Sequence, residues 1–167
     1  MRSKSGFLSW FPHVLLLLTL LLGMGGCIKV VTGPQDGTTP GTTDVPINLK
    51  GASNVGSLHI ELVYDSALLE ATAVKPGTLA RNVVIESNLA TAGRAIIGII
   101  DTAGINGDGS VVTVSFKVKG KDGTSQLTLE NVAAYDAQTL FDIALETSPG
   151  QFAVKNRSYI PPAVSFK

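Results

Sequence analysis

One cysteine, two histidines and one tryptophan are all that this chain holds among 167 residues, and each scarcity excludes something. A single thiol cannot form an internal disulfide, so any folded domain must be held by packing alone. His13 lies in an N-terminal apolar stretch and leaves His59 as the only imidazole elsewhere. That starves His-based metal sites and serine–histidine nucleophilic schemes. Charge is scarce too, at 16% of residues, and it balances at 13 basic against 13 acidic side chains. Beyond the N-terminal segment no Lys/Arg cluster occurs, so the electrostatic footprint of a nucleic-acid binder is missing. No glycine-rich loop opens a helix, which removes the usual phosphate cradle. Glu61, Glu70, Glu86, Asp101, Glu130 and Glu146 are present, but nothing in their spacing pairs two of them for glycoside hydrolysis. The expectation is a protein with no catalytic residues, no cofactor and no nucleic-acid partner.

What is present begins at the lone cysteine. A basic start (Arg2, Lys4) leads into an apolar run from Val14 to Leu22, and then into Gly23-Met24-Gly25-Gly26-Cys27. This order of basic, apolar and small-residue segments reads as an export signal. A cysteine directly after it resembles the lipobox of bacterial lipoproteins. The resemblance implies a signal peptide over residues 1–26, lipidation of Cys27, and a cell-envelope protein lipid-anchored on the outer side of a membrane. As a spanning helix the segment falls short, because its strictly apolar core is about half of the ~20 residues needed. Residues 27–43 are rich in Gly, Thr and Pro and read as a flexible linker. Twelve such residues reach about 40 Å at ~3.3 Å each.

The folded domain is expected over residues 44–154. Val, Ile, Thr and Gly are abundant, which favours strands. Leu58, Ile60, Leu62 and Tyr64 alternate with His59, Glu61 and Val63, as on a strand with one buried face. Val112, Val114, Phe116 and Val118 alternate in the same way with Thr113, Ser115, Lys117 and Lys119. Asp65 stands where a single helical turn through Leu68 would be capped. Further strands are expected at 45–50, 69–75, 82–87, 94–101, 126–135, 140–146 and 151–154, most separated by Gly- or Pro-bearing turns. Pro46 suits a first or edge strand. This gives an all-β fold, a nine-stranded antiparallel sandwich. Residues 155–167 contain Pro161-Pro162 and read as a C-terminal tail whose apolar residues could lie against a sheet.

Asn106-Gly107-Asp108-Gly109 has the look of a calcium loop. Aligned on Gly109 as its sixth position, the loop would have Gly104 first and Ser115 twelfth, where acidic ligands are required. A hairpin turn and no metal are therefore expected.

Several landmarks in order resemble a cohesin domain: Val45-Pro46-Ile47, Gly56-Ser57-Leu58, Tyr64-Asp65 before Leu68-Leu69-Glu70, and Val74-Lys75-Pro76-Gly77. Gly107-Asp108-Gly109 before Phe116-Lys117-Val118-Lys119-Gly120, Leu127-Thr128-Leu129 and Tyr135-Asp136 continue the series. The resemblance implies jelly-roll topology and a binding module. Its implied partner is a dockerin-like module of the kind carried by polysaccharide-degrading enzymes, gripped by a flat sheet face that includes Ser57 to Val63. The partner-binding residues expected on that face are Ser57, His59, Glu61 and Val63, with Asn82, Glu86 and Asp101 on neighbouring strands. Two other readings stay open. One is direct binding of polysaccharide, for which exposed aromatics are needed and Tyr64, Phe116, Tyr135, Phe141 and Phe152 are expected mostly inward. The other is a structural or adhesive envelope lipoprotein joined through its edge strands.

Overall fold

The computed structural model describes residues 31–32 and 41–167, apart from Arg81, Gly120 and Lys121. Cys27, the signal segment and most of the linker lie outside the described residues. The described chain is all β, in ten strands: β1 (Val31–Thr32), β2 (Thr42–Val63), β3 (Leu69–Pro76), β4 (Val84–Asn88), β5 (Arg94–Val118), β6 (Thr124–Asp136), β7 (Leu145–Ser148), β8 (Gly150–Ala153), β9 (Ser158–Ile160) and β10 (Ala163–Phe166). The all-β fold class expected from the sequence holds, and the count differs from nine for reasons visible in the pairing.

Two strands organise everything. At ~3.3 Å per residue, 22 residues of straight strand would run about 70 Å, several times an ordinary strand. β2 and β5 avoid this by bending together. Their register shifts between Ile47 and Asn48 and at three further points from Leu49 to Ser57. The expected turns at 51–56 and 104–109 are thus bulged corners inside continuous, paired strands, with Ala52 opposite Gly107 and Val55 opposite Ile105. Gly104 has φ +80°, and a Cβ there would lie 2.4 Å from Asn54 Oδ1, so the corner demands glycine. Side chains tie the corner: Asn106 Oδ1 accepts from Asn54 N–H at 2.8 Å and Asp108 Oδ1 from Gly51 N–H at 2.6 Å. The Asn106–Gly109 segment is therefore a clasp between β2 and β5 rather than a hairpin turn.

Each long strand serves two layers. In the first, β8, β6, the second half of β2, the first half of β5 and β4 lie side by side. In the second, β7, β10, the first half of β2, the second half of β5 and β3 do so. Between them Ile47, Leu58, Ile60, Leu62, Ile97, Val112, Val114, Phe116 and Phe152 are essentially inaccessible. Both alternating patterns read from the sequence therefore point as expected. Tyr64 packs edge-on against Phe116 with ring centroids 5.0 Å apart. Asp65 caps the short turn after β2, its Oδ1 accepting from Ala67 N–H and its carbonyl from Leu68 and Leu69.

Several local expectations change. Pro46 lies in the first long strand, at a point where that strand pairs with β5 on one side only. Asn48 donates to Pro162 O on the β10 side, and Pro46 faces that side two residues before β10 begins to pair. Its missing N–H therefore interrupts no ladder. Ser115 faces outward by alternation yet is buried, and donates to Asp44 Oδ1 at 2.6 Å. The strand expected over 140–146 starts only at Leu145, because Leu140 has φ +60° and follows a tight turn at Asp136. Residues 155–167 are more than a tail: β10 runs parallel to β2 and antiparallel to β7, with Val164 fully buried.

Candidate functional site

The outer face of the first layer carries most of the expected binding residues. On β2 the outward positions are Ser57, His59, Glu61 and Val63. Across on β5 they meet Ile100, Gly98, Ile96 and Arg94 in turn. β4 extends the rows, with Val84 beside Ile100, Glu86 beside Gly98 and Asn88 beside Ile96. On the other flank β6 places Tyr135 beside Ser57, Ala133 beside His59 and Glu130 beside Glu61. The face is thus a grid with two zones.

One zone is polar and closed on itself. Arg94 forks between Glu61 and Glu130, reaching Glu130 Oε2 at 3.0 Å and holding Glu61 Oε2 with its other nitrogen. His59 Nε2 lies 3.7 Å from Glu61 Oε1. Asn131 also hydrogen-bonds Glu61, and that contact, ahead of Arg94 and His59, holds its carboxyl below the usual range. The two carboxylates push Arg94 the other way, Glu130 first. Asn131 reaches Glu61 because β6 bulges here: Glu61 pairs with Glu130 and His59 with Ala133, so one extra residue fits between, and Asn131 takes φ +48°.

The other zone is apolar and open. Ser57, His59, Val84, Glu86, Gly98, Ile100 and Tyr135 surround a shallow depression of about 200 Å³. Val84 is 61% exposed, Ile100 53% and Tyr135 41%. Gly98 forms the floor, and a Cβ placed there would meet nothing within 4 Å. Exposed apolar side chains gathered around a hollow mark a contact surface more than scattered ones do.

Of the seven expected residues, Ser57, His59, Glu61, Val63 and Glu86 share this face. Asn82 is exposed but precedes β4 in a turn. Asp101 follows the outward Ile100, and its carboxylate accepts from Ala103 N–H, so it serves its own corner. Sequence reading missed Val84, Ile100, Tyr135 and Gly98. Tyr135 was expected inward with the other rings, but the Asn131 bulge reverses the alternation of β6, burying Leu127, Leu129 and then Ala134. Phe141 is also exposed, at 76%, beyond the Asp136 turn. Asp136 anchors that turn, accepting from Gln138 and Thr139 N–H and from Asn54 Nδ2. The Thr139 and Gln138 backbone bonds, then Asn54, lower its pKa from 3.8 to about 2. Among the described residues no three His, Cys, Asp or Glu side chains converge as a metal site would need.

Comparison with known proteins agrees with this architecture. A family model described as the cohesin domain matches residues 28–154. Cellulose-binding protein A of Clostridium cellulovorans is 25% identical over 153 residues, 83% of this chain, and the chain spans 8% of that protein's length. A non-cellulosomal cohesin from the archaeon Archaeoglobus fulgidus superposes with a TM-score of 0.53 at 25% identity, covering 75% of this chain and 79% of that one. The structure of a type I cohesin–dockerin complex from Clostridium thermocellum, Coh-OlpA-Doc918, gives a TM-score of 0.57 at 18% identity, covering 83% and 96%. With the matched segment spanning both layers of the sandwich, the chain belongs to the cohesin family.

Proposed function

We propose that this protein is a non-catalytic binding module that receives a dockerin-like protein on the outer face of its first layer. The observation that carries the reading is the open, apolar half of that face in a chain whose family model covers residues 28–154. A rigid sheet holds its side chains at fixed spacing, so docking costs little ordering entropy. Exposed Val84, Ile100 and Tyr135 supply apolar contact at its centre. Ser57, His59, Glu61, Val63 and Glu86 around them supply orientation, with Asn82 and Asp101 on the periphery.

Lipidation at Cys27 and the linker to residue 43 complete the proposal. They leash the module outside a membrane, where it gathers proteins that act on polysaccharide. No helix among the described residues is long and apolar enough to cross a membrane. Capture experiments test this directly. Immobilised full-length chain, incubated with secreted and surface proteins of its source organism, should retain a dockerin-bearing protein. Recovery of no protein ligand at micromolar concentration would count against the reading. Retardation in gels containing soluble polysaccharide would instead favour direct carbohydrate binding.

A further inference from the structure

Resting on that reading, we propose that the depression over Gly98 receives a lysine or arginine side chain of the partner. Its methylenes lie against Val84, Ile100 and Tyr135, and its charged head meets Glu86. The charge pattern of the face selects this occupant. Glu61 and Glu130 are already held by Arg94. Glu86 is exposed, lines the depression and takes part in none of the ion pairs among the described residues. The hollow thus couples an apolar wall to a carboxylate at its rim that forms no ion pair among the described residues.

An aliphatic occupant would fill the wall and leave Glu86 without a partner. An acidic one would be repelled by it. A basic side chain satisfies both halves, because its stem is apolar and its head is a cation. Size agrees as well, since about 200 Å³ accommodates one long side chain and not a helix. Depth at the centre comes from Gly98, between His59 of β2 and Glu86 of β4.

Small probes separate this inference from the search for a partner. Nα-acetyl-lysine methylamide, its arginine counterpart and Nα-acetyl-norleucine methylamide are titrated into the ¹⁵N-labelled full-length chain. The Gly98 and Ile100 amide resonances should move with the lysine and arginine amides, roughly threefold more than with norleucine at equal concentration, as an exposed ion pair allows. Glu86→Gln should bring the lysine response down to the norleucine level, and Gly98→Leu should remove the response to all three. A norleucine response equal to that of lysine, an unchanged lysine response in Glu86→Gln, or no response at these amides would overturn the assignment. Capture of a protein partner by a chain that ignores lysine would sink this inference alone. A lysine response in a chain that captures nothing would sink only the wider reading.

Discussion

β2 and β5 run through both layers, yet the two outer faces they build are unlike. On the second layer a cluster of outward side chains is tied within the chain. Asp44 accepts from Ser115 and pairs with Lys75 at 3.3 Å, and Thr72 donates to the Ser115 carbonyl. The Ser115 bond, with Lys75 behind it, keeps the Asp44 carboxyl below its ordinary range. On the first layer Val84, Ile100 and Tyr135 stand in solvent around an empty floor, and Glu86 forms no ion pair among the described residues. The same strands with the same inward alternation therefore give one face with a hydrogen-bonded polar cluster and one with an open apolar hollow. The open face is the one proposed to receive a partner.

The largest effect should come from what both faces share. Phe116→Ala empties the centre of the core and should cost about 3–5 kcal/mol in urea unfolding, without regard to either face. A much smaller loss would mean that the two layers are not packed through Phe116. Next comes the contrast itself. Val84→Thr with Ile100→Thr should weaken partner binding about tenfold while shifting stability little, because both side chains are exposed and threonine keeps the β-branch that suits a strand. Equal losses of binding and of folding would erase the distinction between a docking face and a structural one. On the second layer's face, Ser115→Ala removes the donor to Asp44 and should destabilise by about 1 kcal/mol with binding unchanged.

The smallest effect concerns the Asp136 turn at the end of the first layer. Its folded pKa of about 2 lies below the ordinary aspartate value of 3.8. The depressed carboxylate therefore contributes stability that is fully present above pH 3.8 and is lost as pH falls towards 2. Asp136→Asn should flatten the urea midpoint over that window and lower it slightly above it. An Asn variant with the wild-type pH slope would assign the effect to another group.

These two faces also mark how far sequence reading extends. The inward sets Leu58–Ile60–Leu62 and Val112–Val114–Phe116 were legible, because a one-residue slip would move every one of them into water. The outward sets were legible only where alternation ran unbroken, which recovered Ser57, His59, Glu61 and Val63 on one strand. A bulge resets alternation, and the one at Asn131 turns Tyr135 from an expected core ring into part of the outer face. The polar Glu130-Asn131 pair in mid-strand, with Asn tolerant of positive φ, was the available signal. Val84 and Ile100 carried no such mark, since their exposure depends on which strands lie beside them. Pro161-Pro162 argued for a tail, yet the residues after them pair on both sides, because a proline ahead of a strand removes no donor from its ladder.

The central claim is that a protein partner docks on the first layer and not on the second. Calorimetric titration of the captured partner into three forms of the full-length chain tests it most directly: wild type, Val84→Thr/Ile100→Thr, and Lys75→Glu/Lys117→Glu. The account predicts an affinity loss of about tenfold for the first pair and a change within about twofold for the second. Equal losses in both pairs, or a loss confined to the lysine pair, would contradict it.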